Sequence, residues 1–198
     1  MTANPEAESL VTLETIREAA DGFQGVVERT PLIHAPALEA MVGVAVYLKL
    51  ENAHATGAFK LRGAWTAIRR LPEERRVNGV LTYSSGNHGQ AVAFAAQRVG
   101  VRAVIVMPET VPPVKVAGVK RWGGEVVFAG RTSEDRFRVA MEMAETEDLT
   151  VIPPFDHPDV IAGQATAGLE IVEQLPEVAH ILVPVGGGGL AAGVTTAV

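Results

Sequence analysis

The chain has 198 residues, with 17 basic and 23 acidic side chains and a formal net charge of −6. That balance argues against nucleic acid or an anionic membrane as the main partner, because both require a positive footprint. Cysteine is absent, which excludes disulfides, thiolate metal sites and cysteine nucleophiles, while 47% apolar and 20% charged residues are globular proportions.

Met1 to Leu10 carries Glu6 and Glu8 and has no basic-then-apolar run, so it reads as a loose polar start, not a signal peptide. No stretch approaches the roughly 18 apolar residues that a membrane helix needs. The expectation is a cytoplasmic protein. A short helix follows from Thr12 to Asp21-Gly22, then the turn-like segment Arg29-Thr30-Pro31-Leu32. Val44, Val46, Leu48 and Leu50 alternate with Ala45, Tyr47 and Lys49, which predicts a strand with Lys49 on its polar face.

From residue 79 a regular rhythm sets in. Strands are expected at Gly79–Tyr83, Ala103–Met107, Glu125–Phe128 and Thr150–Ile152. Helices are expected at Gln90–Val99, Val114–Trp122 and Ser133–Glu145, the last capped by Ser133. After Pro153-Pro154 come a helix over 159–175, a strand His180–Val185, the loop Gly186–Gly189 and the opening turns of another helix. Apolar strands alternating with helices imply an α/β fold with a parallel sheet covered on both faces. The chain stops inside a helical pattern, so it reads as the N-terminal portion of something longer, with its C-terminal part missing.

Three constellations carry chemistry. Lys60 is wedged between Phe59 and Leu61 inside a glycine-flanked segment, Thr56-Gly57-Ala58-Phe59-Lys60-Leu61-Arg62-Gly63. An amine in apolar surroundings loses stabilisation of its charged form and becomes a nucleophile able to form a Schiff base. The bland alternative is a helix lysine that reaches solvent. Ser84-Ser85-Gly86-Asn87-His88-Gly89 joins a strand to a helix, where unsatisfied N–H groups suit a carboxylate or phosphate. Gly186-Gly187-Gly188-Gly189-Leu190 follows a predicted strand, and four glycines in succession let backbone N–H groups approach an anion closely. The tract also satisfies a degenerate dinucleotide pattern, which keeps a dinucleotide-binding module open. The five histidines are scattered, with no His-Glu-x-x-His, so no metal site is expected.

In this order the three segments resemble the fold-type II pyridoxal-phosphate enzymes, specifically the threonine/serine dehydratase and serine racemase branch. Ile161-Ala162-Gly163-Gln164-Ala165-Thr166 and Arg29-Thr30-Pro31-Leu32 match as well, and the resemblance runs from about residue 12 to 198. It implies a two-domain architecture akin to the tryptophan synthase β-subunit. Residues 12–51 and 149–198 would begin the large domain, and 52–148 would form a small mobile one. The cofactor implied is pyridoxal 5'-phosphate. Lys60 would hold it as a Schiff base and move the α-proton, Phe59 would pack near its ring, and Asn87 would bond its phenolic oxygen. Gly186, Gly187, Gly188, Gly189 and Leu190 would cradle its phosphate. Ser85, Gly86, Asn87 and His88 would hold the substrate carboxylate, and in the racemases of the branch the residue matching Ser85 is the catalytic acid/base on the face opposite the lysine. The implied activity is an ammonia-lyase for L-threonine or L-serine, from a homo-oligomer when full length. The alternatives are an amino-acid racemase, a hydroxyaspartate dehydratase and a non-catalytic fragment. Ala58 and Ala165 stand where the branch usually has serine and glycine.

Overall fold

The structure is a computed structural model and describes residues 11–84 and 86–198. Residues 1–10, expected to be a polar start, lie outside the described residues.

Helix α1 (Leu13–Asp21) begins at a reciprocal capping box, in which the Thr12 and Thr15 side chains each bond the other's backbone. Strands β1 (Leu32–His34) and β2 (Tyr47–Lys49) pair antiparallel around α2 (Pro36–Val42). The strand expected over 44–50 is thus shorter, covering only the residues that find a partner in β1. Helix α3 (Lys60–Arg70) follows.

The next elements form one parallel sheet of order β5-β4-β3-β6. Its strands are β3 (Val80–Thr82), β4 (Ala103–Met107), β5 (Glu125–Phe128) and β6 (Thr150–Val151). The intervening helices are α4 (Asn87–Arg98), α5 (Pro113–Arg121) and α6 (Ser133–Thr146). Two apolar layers sandwich the sheet. Val80, Ile105 and Met107 join α4 residues such as Val92 and Phe94 on one face, and Leu81, Val104 and Val106 meet Ala140 of α6 on the other. Every side chain of β4 is buried, as a central parallel strand requires. The chain steps outward from β3 through β4 to β5 and then returns to the other side of β3 with β6. The carboxyl ends of β3 and β6 therefore flank a topological switch point, where open α/β sheets bind ligands.

Helices α7 (Pro158–Gln174) and α8 (Gly189–Ala197) complete the structure. Helix α7 lies against α3 on one side and α8 on the other, and glycines set both separations. A Cβ on Gly163 would stand 2.5 Å from the Arg62 carbonyl oxygen and 2.6 Å from Gly63 Cα. One on Gly193 would stand 2.7 Å from the Ile161 carbonyl oxygen.

Three expectations need correction. Helix α4 starts at Asn87, not Gln90, because Gly86 takes the N-cap position and the turn residues already belong to the helix. Helix α6 is capped by Thr132, not Ser133; Thr132 and Asp135 form the capping box. No strand forms over His180–Val185. Among the described residues no other segment pairs with it, and Leu182 is 91% exposed. Apolar content does not make a strand without a backbone partner.

Candidate active site

Lys60 opens α3, with Phe59 at the N-cap and no side-chain cap. Its Nζ donates to the Pro154 carbonyl at 2.5 Å and lies 5.2 Å from the centre of the Phe59 ring. Burial lowers its pKa below the ordinary lysine value. No carboxylate pairs with Lys60 among the described residues. The amine is held by a neutral carbonyl, which leaves its nucleophilicity available.

The substrate-loop candidates come next. Gly86 caps α4, Asn87 is exposed at its first position, and His88 is buried beside it. His88 Nε2 lies 3.1 Å from the Ile152 carbonyl. A carbonyl only accepts, so Nε2 carries the proton and Nδ1 is a bare acceptor. Among the described residues Nδ1 is buried without a hydrogen-bond partner, as is Thr56 Oγ1 in the lysine segment. Burial, with Lys60 nearby, pushes the His88 pKa down to about 4, against the pull of the Ile152 carbonyl. His88 is therefore neutral at pH 7. Gly89 allows α4 to start close to the sheet, since a Cβ there would stand 2.6 Å from the Ser84 carbonyl oxygen. Ser85 lies outside the described residues.

The glycine loop reaches the same place through Phe155, the residue after the one that holds Lys60. A Cβ on Gly187 would overlap the Phe155 ring, and one on Gly189 would stand 2.8 Å from the Phe155 carbonyl oxygen. Gly188 adopts φ +89° as the N-cap of α8, a left-handed conformation that favours glycine. Apart from its chain neighbours, no atom of the described residues lies within 4 Å of the position where a Cβ on Gly186 would project. Leu190, half-buried, lies in the first turn of α8. Helix α8 thus starts without a side-chain cap behind open glycine backbone, an arrangement suited to an anion. No lysine or arginine occurs from residue 180 to 198, so the backbone alone supplies that attraction.

Residues 152–155 therefore join all three sequence constellations: His88 through Ile152, Lys60 through Pro154, and the glycine loop through Phe155. These linker residues were not singled out from the sequence; their signal was the double proline at the end of β6. A second missed feature lies behind Lys60. Arg62 is fully buried, and its guanidinium is gripped by two carboxylates, Glu51 and Glu170. Lys49, expected on a polar strand face, joins them, bonding Glu170 at 2.5 Å, the Thr30 carbonyl and Gln174. Burial opposes the charges of Glu51 and Glu170, but hydrogen bonds, from His54 and Arg62 to Glu51 and chiefly from Arg62 to Glu170, hold both carboxyls below the ordinary range. The signal for this cluster was Glu170, an acid amid the apolar run of α7.

Ala58 and Ala165, the two departures from the branch pattern, are both buried. Ala165 packs against Gly193, where a Cβ would stand 2.8 Å from the Ala165 nitrogen. The methyl group is accommodated by glycine on the facing helix.

The family model described as pyridoxal-phosphate dependent enzyme matches residues 23–198. The chain belongs to that family. Its architecture is that of the fold-type II members, and the dinucleotide-binding reading of the glycine tract falls. It is 45% identical over 183 residues to the L-threonine ammonia-lyase of Geobacter sulfurreducens, covering 92% of this chain and 46% of that protein. It is 40% identical over 182 residues to the L-threo-3-hydroxyaspartate ammonia-lyase of Saccharomyces cerevisiae, covering 92% of this chain and 56% of that one. The solved structure of maize serine racemase superimposes with a TM-score of 0.92 at 40% identity, over 94% of this chain and 57% of that chain. The chain thus spans about half the length of the relatives it matches. No helix among the described residues is long and apolar enough to cross a membrane.

The residues present fit the family cofactor. Its aldehyde needs an amine, which Lys60 offers half-buried, and its phosphate needs N–H groups, which the open glycine backbone offers. His88 Nδ1 and Thr56 Oγ1, which have no partner among the described residues, lie in the two segments that converge there.

Proposed function

We propose that the protein bearing this chain is a pyridoxal-phosphate-dependent ammonia-lyase that converts L-threonine or L-serine to a 2-oxoacid and ammonia. One observation carries the reading: the Lys60 amine and the glycine loop meet on the adjacent residues Pro154 and Phe155.

In this reading Lys60 attaches the cofactor through Nζ and later holds the proton removed from the substrate's α-carbon. Phe59 packs beside the cofactor ring, and Asn87 donates to its phenolic oxygen. Gly186 to Leu190 hold its phosphate through backbone N–H groups at the start of α8. When bound, pyridoxal phosphate supplies an electron sink for the carbanion at the α-carbon. Gly86, Asn87 and His88, together with Ser85, bind the substrate carboxylate at the start of α4. His88 is neutral there, so backbone N–H groups supply the attraction for the carboxylate. The net reaction removes water from the hydroxy amino acid, and the resulting enamine takes up water to release ammonia. A cytoplasmic homo-oligomer is part of the same reading.

The test uses the full-length protein. Adding pyridoxal phosphate should produce an absorption band at the blue edge of the visible, and L-threonine should then yield 2-oxobutyrate and ammonia in equal amounts. Lys60→Ala should abolish both; a normal band in that variant would sink the lysine assignment.

A second reading, racemase or hydroxyaspartate ammonia-lyase, is favoured by the relatives of those names at comparable identity. Chiral analysis of the amino acid recovered from L-serine, with Ser85→Ala as probe, separates racemase from lyase. Turnover of threo-3-hydroxyaspartate in preference to threonine would replace the substrate named above.

A further inference from the structure

The first turn of α3 holds an unusual pair. Lys60 projects toward Pro154, while Arg62, two residues on and so about 200° around the helix, projects the opposite way into the protein. Arg62 makes six hydrogen bonds to side chains. Nε and Nη2 bond the two oxygens of Glu51 at 2.7 and 2.8 Å. Nη1 and Nη2 bond those of Glu170 at 2.7 and 2.9 Å. Nη1 also reaches Thr166 Oγ1 at 3.0 Å and Nη2 reaches Thr30 Oγ1 at 3.3 Å. All five N–H groups have acceptors, and both carboxylates are held by two points each, the geometry that only a guanidinium provides.

No side chain caps the start of α3; the Leu61 and Arg62 N–H groups instead close a short turn onto the Ala58 and Phe59 carbonyls at 3.4 and 3.1 Å. Here the uncapped turn carries the amine that must be placed to within a fraction of an ångström. The Arg62 grip binds that turn to Glu51 on one side and to α7 on the other. Residues 154–157 lead directly into α7, so the grip ties the turn that carries the amine to the helix that follows its acceptor. Buried ion pairs commonly add little net stability compared with apolar packing, so stability alone does not account for it.

We propose that Arg62 is a positioning residue for Lys60: its two-sided grip on Glu51 and Glu170 anchors the first turn of α3, which has no side-chain cap, and aims the Lys60 amine at the Pro154 carbonyl. The proposal rests on the reading of Lys60 as the cofactor-bearing residue.

The experiment uses the full-length protein in cofactor-free and loaded forms. Arg62→Lys keeps the cation but cannot fork to two carboxylates. Glu51→Gln keeps one acceptor, loses one of the two bonds to Glu51 and removes its charge, and serves if Arg62→Lys does not fold. Lys49→Met disturbs the same cluster without touching Arg62 and is the structural control. In cofactor-free protein, trace acylation at a series of pH values is read at Lys60 by peptide mass spectrometry, with exposed Lys115 and Lys120 as internal references. In loaded protein, the rate at which borohydride fixes pyridoxal phosphate to Lys60 is measured. The expected result is that Arg62→Lys and Glu51→Gln move the Lys60 acylation profile to higher pH and slow fixation about tenfold or more. Lys49→Met should lower the melting temperature and leave both readouts in place. The proposal is overturned if Lys60 stays within twofold of the unmodified protein in both grip variants, or if Lys49→Met shifts it as far as they do. Should the unmodified protein fix no cofactor at all, the cofactor reading fails, and the acylation profile still decides the positioning role.

Discussion

Lys60 and His88, far apart in the chain, hydrogen-bond carbonyls two residues apart: Lys60 Nζ meets Pro154 at 2.5 Å and His88 Nε2 meets Ile152 at 3.1 Å. The start of α3 and the start of α4 are thus registered against one short segment at the switch point of the sheet. Small shifts of residues 152–154 would displace the Lys60 amine and the start of α4 together.

His88 makes this region acid-sensitive. Its folded pKa of about 4 lies below the ordinary histidine value of 6.5. Between those values the unfolded chain binds more protons than the folded one, so stability falls as pH drops from 6.5 toward 4 and levels below. The full effect is on the order of 3 kcal/mol. Glu51 and Glu170, whose pKa values are lowered, act in a lower window: their contribution is intact above about 4.5 and is lost as pH falls further. Urea unfolding at a series of pH values should therefore show a slope between 6.5 and 5 that His88→Gln removes. An unchanged slope would mean that another group titrates there.

Much of this arrangement is readable from residues alone. The strand–helix rhythm from 79 to 152 is legible because each buried strand is a short apolar run and each helix has a polar face or a cap. The three chemical segments are legible because glycine clusters and a lone lysine in apolar company are costly unless used. The helix of Lys60 is not, since no cap marks its start and Phe59-Lys60-Leu61 has no turn signal. Nor is the cluster of Lys49, Glu51, Arg62 and Glu170. Its members come from separated segments, and a charged residue shows no sequence sign of burial until its partner is known. The error at His180–Val185 has the same root: strand formation depends on what lies alongside.

The crossing of α3 and α7 is set by backbone contact at Gly63 and Gly163. In Gly163→Ala the methyl group would meet the Arg62 carbonyl oxygen at 2.5 Å and Gly63 Cα at 2.6 Å, both backbone atoms that cannot rotate away. The helices must separate, at a cost of about 1–3 kcal/mol. Because Arg62 anchors α3 to α7, the same separation should loosen the ion cluster. Chemical denaturation should report the loss. A variant as stable as the parent would show that the two helices slide apart freely.

Removing the Arg70 ion pair tests a different anchor of the same helix. Arg70 Nη1 bonds Asp159 at 2.7 Å and Nη2 bonds the Thr15 carbonyl at 3.1 Å, joining the end of α3 to α7 and α1. The side chain is 23% exposed, so solvent screens the pair only in part. Arg70→Ala should cost about 1 kcal/mol. The Lys60 turn lies at the other end of α3, so cofactor fixation should stay at the parental rate. A tenfold slower rate would mean that α3 responds as one rigid rod and that the grip at Arg62 is not a local device.

Gly186 and Gly188 separate the two reasons for glycine in the loop. At Gly188 the backbone sits at φ +89°, which strains any side chain, so Gly188→Ala should cost about 1–3 kcal/mol of stability. At Gly186 φ is not in the left-handed region and, chain neighbours apart, no atom of the described residues lies within 4 Å of the place a methyl group would take, so Gly186→Ala should change stability by less than about 0.5 kcal/mol. That methyl group would instead stand on the open face of the loop, where the cofactor phosphate is proposed to bind. Affinity for pyridoxal phosphate, measured by titrating the absorption band, should then fall about tenfold, equivalent to about 1.4 kcal/mol. If Gly186→Ala binds the cofactor as the parent does, the phosphate lies elsewhere, and the open glycine backbone at the start of α8 has another use.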